Sequence, residues 1–176
     1  QKVAGGRPLV YVQSWYLNGF GVTRADVDNF RAQVVQAGSP NPYIVAQNFS
    51  ADSAASDADR FGYDAISSYA APGSGAYREA PFSALDSTAR NFWENSKNTG
   101  KKAVPIVMTG WDPRPAWEDT SGSSSAYIAD VPPGIYYTTA TPQEIATQLK
   151  GALDWSAANP GAAGEPNAIL IYAWNE

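Results

Sequence analysis

Neither cysteine nor histidine occurs anywhere in the 176 residues. Without cysteine there is no disulfide framework, thiol nucleophile, thiolate zinc site or iron–sulfur cluster. Without histidine there is no Ser-His-Asp triad, imidazole base or histidine metal site. Acid–base chemistry near neutral pH is left to carboxylates, tyrosines or lysines with shifted pKa values. Charge is also scarce: charged residues make up 16%, against roughly 25% in an average soluble domain. The 12 Lys and Arg are outnumbered by 17 Asp and Glu, for a net charge of -5. The only adjacent pair of bases is Lys101-Lys102, so no basic patch suits nucleic acid or an anionic membrane. No apolar run approaches the ~18 residues that a membrane span needs.

Aromatic side chains are abundant: 6 Trp, 10 Tyr and 6 Phe, or 12% of the chain. Carboxylates combined with flat aromatic surfaces suit a neutral, polyhydroxylated ligand such as a carbohydrate. The chain starts at Gln1 with no signal-peptide pattern and stops at Glu176 straight after an apolar run. The expectation is a mature or partial piece of a longer polypeptide, secreted or displayed at the cell surface.

Short apolar runs at Leu9–Val12, Tyr43–Ala46, Ala65–Ser68, Ala103–Met108 and Ala168–Ala173 read as strands. Most are continuously apolar, as in parallel strands covered on both faces. Three amphipathic helices separate them. The first opens at Thr23, with Asp26 completing a capping box, a stripe of Val27, Phe30 and Val34, and a stop at Gly38. The second follows Pro81 and carries Leu85, Ala89 and Phe92 on one face. The third opens with a capping box at Thr141-Pro142-Gln143-Glu144 and carries Ile145, Leu149 and Leu153. A shorter helical turn is expected around Ser53–Arg60, and residues 112–140 read as one long loop.

This alternation predicts an α/β fold with a parallel sheet. At about 35 residues per unit, eight units would need roughly 280 residues, within the range of a (β/α)8 TIM-type barrel. The expectation is a single partial barrel domain over residues 1–176, holding about the last five units. Its two unpaired edges would promote self-association unless a remainder of the chain covers them. A doubly wound sheet competes, but no glycine-rich phosphate loop follows any strand.

Polar and aromatic side chains collect just after the strands. They are Gln13-Ser14-Trp15, Gln47-Asn48, Ser68-Tyr69, Trp111-Asp112 and Trp174-Asn175-Glu176. Ligand sites of parallel α/β folds lie at the carboxyl ends of strands. Gln13, Gln47, Tyr69, Asp112 and Glu176 are therefore expected to line one mouth of a curved sheet. Glu176 is the leading candidate catalytic group, a carboxylate where an apolar strand emerges, and glycosidic cleavage needs such an acid. Asp112 is the second, on the proline-stiffened turn Trp111-Asp112-Pro113-Arg114-Pro115. Trp15, Trp117 and Tyr69 are candidate sugar platforms, and Trp111 and Trp174 are further substrate-binding candidates. Gln13, Gln47, Asn48, Arg114 and Asn175 are candidate hydrogen-bonding partners of a substrate. Asn48-Phe49-Ser50 also matches a glycosylation acceptor, although its place at a strand end favours an unmodified Asn48.

Two of these segments resemble a known group. Gly110-Trp111-Asp112-Pro113-Arg114-Pro115 is similar to the GWDN-x-PR signature of WbsX-like proteins, with Pro113 in place of the usual Asn. Ile171-Tyr172-Ala173-Trp174-Asn175-Glu176 is similar to the start of their AWNEW-x-EG signature. The resemblance, carried by residues 100–176, extends to glycoside hydrolase families 71 and 99. It implies a (β/α)8 barrel that acts on polysaccharides or glycans without a metal or other cofactor. It implies that Glu176 acts as base on the sugar 2-hydroxyl, and that a second Glu three positions later is the general acid. Asp112 and Arg114 would mainly position substrate. A non-catalytic glycan-binding fragment or paralogue is the first alternative. A glycosyltransferase-like protein of polysaccharide assembly is the second.

Overall fold

The computed structural model describes residues 3–73, 78–112, 114 and 135–172. Strand β1 (Leu9–Gln13) runs directly into a short helix, α1 (Ser14–Gly19), and then into α2 (Arg24–Gln36). Next come β2 (Tyr43–Asn48), α3 (Ala51–Phe61), β3 (Ala65–Ser68), β4 (Arg78–Ala80) and α4 (Phe82–Asn98). The remainder comprises β5 (Lys102–Ala103), β6 (Ile106–Met108), β7 (Ile135–Tyr137), α5 (Pro142–Ala158) and β8 (Leu170–Tyr172).

The helix starts follow from their caps. Thr23 and Asp26 form a reciprocal box on α2, with the Thr23 N–H donating to Asp26 at 2.8 Å. Thr141 and Glu144 do the same on α5 at 2.8 Å, and Pro142 occupies the first turn. In both boxes these hydrogen bonds hold the carboxyl below its usual pKa range. Helix α3 is a full helix rather than a short turn. Ser50 caps its start and Gly62, at φ 74°, closes it in the left-handed region. A Cβ at Gly62 would also run into the Arg24 guanidinium. Gly62→Ala is expected to cost about 1–2 kcal/mol, read as a lower urea midpoint at unchanged slope.

The barrel expectation is overturned. Among the described residues the strands form three separate parallel ladders, of four, two and two strands, with no eight-stranded closure. The first has the order β1-β2-β3-β5, the others pair β4 with β7 and β6 with β8. The cause lies in the fourth expected strand, which is broken at Val104-Pro105. Proline has no N–H to give to a ladder and its φ is fixed. The segment before it pairs with β3, and the Val104 N–H still reaches the Ile66 carbonyl at 2.9 Å. The segment after it pairs with β8, and the Pro105 carbonyl accepts from the Leu170 N–H at 2.9 Å. Residues 102–108 thus pass from one ladder to the next. Strands β1 and β8 each pair on one side only among the described residues.

The main core lies between these ladders and α3, α4 and α5. It is built on Ile44, Ile66, Phe61, Leu85, Trp93, Ile106 and Met108. Leu85, Ala89 and Phe92 face it, as their spacing predicts. The other sheet face carries a thinner cluster of Val3, Tyr43, Val45, Ala65 and Val104. Two helices turn differently from their apolar stripes. On α2 only Val27 is buried, while Phe30 is 44% exposed. On α5 the buried face is Gln148, Ala152 and Trp155, and Leu153 is 54% exposed. The buried amide explains the second case, because Gln148 Oε1 accepts from the Met108 N–H at 2.9 Å. An unpaired buried backbone N–H is costly enough to outrank one leucine.

At the amino ends of β2 and β3, Asp64 ties three segments together. It accepts from Arg7, from Arg31 and from the Ile44 N–H, each at 2.8 Å. This network lies at the end of the sheet opposite the candidate site. Among the described residues no helix is long and apolar enough to cross a membrane.

Candidate functional site

Parallel register puts the carboxyl ends of the paired strands side by side. Gln13 is opposite Gln47, Gln47 opposite Ser67, and Asn48 opposite Ser68. In the β6–β8 ladder, Met108 is opposite Tyr172, and the Thr109 N–H donates to the Tyr172 carbonyl at 3.2 Å. Gln13, Gln47, Asn48, Tyr69 and the Thr109–Asp112 turn all follow the carboxyl end of a strand. Trp174, Asn175 and Glu176 lie outside the described residues, as do Pro113 and Trp117.

Aromatic rings gather along this edge. Trp15 meets Tyr69 edge-on at 4.6 Å between centroids and Phe49 at 4.8 Å. Tyr69 in turn meets Tyr172 at 4.8 Å. Trp15 and Tyr69 are thus brought together, each half-buried. Trp15 is held in place by a buried polar brace beneath it. Ser14, fully buried, has its hydroxyl 2.5 Å from Asp57 Oδ2 and 2.9 Å from the Gln47 carbonyl oxygen. Asn48 donates from Nδ2 to the same Asp57 oxygen at 2.8 Å, and its Oδ1 accepts from the Phe49 N–H at 2.7 Å. Asn48 therefore shapes the edge through Asp57. Gln47 is buried and Gln13 exposed. Asp57→Ala strands the Asn48 amide and leaves the Ser14 hydroxyl only the Gln47 carbonyl. Its expected cost is about 2–3 kcal/mol in urea unfolding, together with a shift in the fluorescence of the neighbouring Trp15.

Beside the ring cluster lies a polar cleft of about 270 Å³, lined by Trp111, Asp112, Arg114 and Glu79. The hydroxyls of Thr109, Thr138 and Thr139 complete its wall. Asp112 and Arg114 form a fork. Arg114 Nε donates to Oδ1 at 2.8 Å, Nη2 to Oδ2 at 2.6 Å, and the Arg114 backbone N–H to Oδ1 at 3.0 Å. The arginine also lies 4.0 Å above the Tyr136 ring. The hydrogen bonds from Arg114 hold the Asp112 carboxyl below its usual pKa, outweighing the opposing effect of burial. Asp112 is therefore an ionised acceptor at neutral pH and is poorly suited to donate a proton. The chemistry open to this pair is positioning, with a planar charged fork facing a ligand's hydroxyls.

Three parts of the site carry no recognisable sequence pattern. Helix α1 has only six residues with a glycine at its end, too short for a periodic signal. Strands β4 and β7, of three residues each, supply Glu79 and Tyr136 as opposite partners. The expected 112–140 loop therefore contains a strand. Glu79 has no pattern around it to mark it, and only tertiary pairing brings it to the cleft. Burial raises the Tyr137 phenol, which closes the cleft floor and donates to the Pro72 carbonyl. Among the described residues no group of three carboxylates is placed to hold a metal ion.

Comparison with family models, curated proteins and solved structures gave no match in any of the three.

Proposed function

We propose that this protein acts on carbohydrate, as a glycoside hydrolase of a polysaccharide or glycan that works through carboxylate chemistry at the carboxyl ends of its parallel strands. The observation that carries this reading is the shared edge of two features. The Trp15–Tyr69–Tyr172 rings and the Trp111–Asp112–Arg114 cleft belong to neighbouring segments, joined by the main-chain hydrogen bond from Thr109 to Tyr172. Half-buried rings offer apolar faces for the C–H surfaces of sugar rings. An ionised fork flanked by threonines offers directional contacts to hydroxyls. With histidine and cysteine absent, carboxylates are the natural acid–base groups for the bond-breaking step.

In this reading Asp112 and Arg114 hold hydroxyls of the sugar, and Trp111 packs against its face. Glu176 takes the proton-transfer role. Glycosidic cleavage requires such a carboxyl group working with a second one. The test is release of reducing ends from a panel of neutral polysaccharides by a polypeptide that carries both Glu176 and the expected second Glu, with Glu176→Gln as the matched control. Release by the native chain that the Gln variant lacks supports the reading; no release from any member overturns it.

Binding without cleavage is the second reading. One observation favours it: the cleft carboxylate with a shifted pKa, Asp112, is shifted down, as suits a binding group rather than an acid.

A further inference from the structure

The ring contacts do not stop at Trp15. Trp15 meets Tyr16 at 5.8 Å between centroids, and Tyr16 stacks on Phe20 at 6.3 Å with their planes 12° apart. On the other side, Phe49 meets both Trp15 and Tyr69, at 4.8 and 6.0 Å. Phe20, Tyr16, Trp15, Phe49, Tyr69 and Tyr172 therefore form one unbroken series of ring contacts. Phe20, Tyr16 and Phe49 are 74%, 48% and 52% exposed, and Trp15, Tyr69 and Tyr172 between and beyond them are half-buried. The outer end is carried by α1, and the inner end reaches Thr109 and the polar cleft through Tyr172.

Exposed aromatics that touch one another in a line need a reason. Tyr16 lies on α1 and Phe20 follows it at the C-cap, where packing against the core does not require them. The helix is fixed from below by Ser14, Asp57 and Asn48, so the rings stand on a rigid support. We propose that these six rings form a single track that carries an extended polysaccharide chain from solvent into the cleft, making the substrate a polymer rather than a short glycan. The proposal rests on the carbohydrate reading above and adds the substrate's length. The occupant follows from continuity, since the innermost ring belongs to Tyr172, whose main chain is bonded to Thr109 in the cleft wall. A stable protein partner needs roughly 800 Å² per side, which the three exposed rings Phe20, Tyr16 and Phe49 do not offer. The chain's net charge of -5 disfavours an anionic membrane.

The experiment compares long and short ligands of the same repeat. Starch, mannan, xylan, galactan and a mixed-linkage β-glucan are each paired with their own trisaccharide. Affinity is measured by native gel retardation and by tryptophan fluorescence, for the native chain and for a Tyr16→Ala/Phe20→Ala double variant. Both replaced residues are exposed, and circular dichroism checks that the variant folds. The native chain is expected to bind at least one polymer about tenfold or more tighter than its trisaccharide, which corresponds to ~1.4 kcal/mol. In the double variant that ratio should fall to near one. An unchanged ratio in the variant overturns the track while leaving the carbohydrate reading intact. So does a native chain that binds or cleaves trisaccharides and polymers equally. Absence of binding and cleavage with every ligand overturns the carbohydrate reading and the track with it. If the native chain is a dimer and the double variant a monomer, the rings are a protein interface and the track is overturned.

Discussion

In a polypeptide that also carries the second Glu, replacing Glu176 with glutamine is expected to lower turnover by about 10²–10⁴-fold, the usual contribution of a general acid–base group, while glycan affinity stays near the native value. Glutamine keeps the shape and removes both the titrating proton and the charge, so a binding contact largely survives and proton transfer does not. Asp112→Asn should behave differently. Its carboxylate receives three N–H donors from Arg114, and the amide can satisfy only part of that set. The Arg114 fork then loosens over Tyr136, and both KM and kcat worsen by a smaller common factor, about tenfold or less. The pH profile separates the two roles. Asp112 is held below the usual carboxylate range by Arg114, so it stays ionised through neutral and mildly acidic pH and contributes no limb there. A limb of kcat in that window that vanishes in the glutamine variant comes from Glu176, and one that persists comes from another group. Near-native turnover of Glu176→Gln would remove the hydrolytic mechanism and leave glycan binding as the account of the site.

The division between what sequence pattern reveals and what it hides follows the range of the interactions involved. Both capping boxes, Thr23 with Asp26 and Thr141 with Glu144, are local, and their helices begin where the pattern places them. The α4 face of Leu85, Ala89 and Phe92 is buried because nothing competes with simple hydrophobic packing there. The α5 face is different. A β6 backbone N–H needs an acceptor from across the core, and Gln148 supplies it, turning the helix away from its most apolar stripe. Pro105 is visible in the sequence as part of an apolar run. Its effect, the hand-over of pairing from β3 to β8, exists only once both neighbours are in place.

The candidate site shows the same split. Each strand end is legible from the polar and aromatic residues that follow it, and this local signal alone singles out Trp15, Tyr69, Trp111 and Asp112. The same signal marks Asn48 as a ligand contact, yet its amide is committed to Asp57, a residue in the middle of α3 with no local sign of that role. Glu79 and Tyr136 enter the cleft region through a three-residue ladder closed across 56 intervening residues, which no periodicity announces. Long-range pairing of very short strands is where pattern reading loses its signal.

Asp64→Ala should be among the most destabilising single changes in the chain, costing about 2–4 kcal/mol and lowering Tm by about 5–15 °C. The side chains of Asp64, Arg7 and Arg31 are 22%, 24% and 12% exposed, so water only partly replaces what is lost. Removal strands the Ile44 N–H, takes the carboxylate from Arg31 and leaves Arg7 only the more distant Glu165 at 3.7 Å. A double-mutant cycle identifies the cause: Arg31→Ala should cost clearly less in the Asp64→Ala background than in the native chain. The sign of the pH dependence follows from the same contacts. Burial pushes the Asp64 carboxyl up, but donation from Ile44, Arg31 and Arg7 outweighs it and leaves the folded pKa below the ordinary carboxylate value. A lowered folded pKa means that the stabilisation is complete above the unfolded pKa, at about 3.9, and is lost as pH falls through the folded value. Native and Asp64→Ala stabilities should therefore differ most at neutral pH and converge in strong acid. Parallel curves, with the same gap at pH 7 and at pH 2, would show that the loss came from packing and not from the charged network.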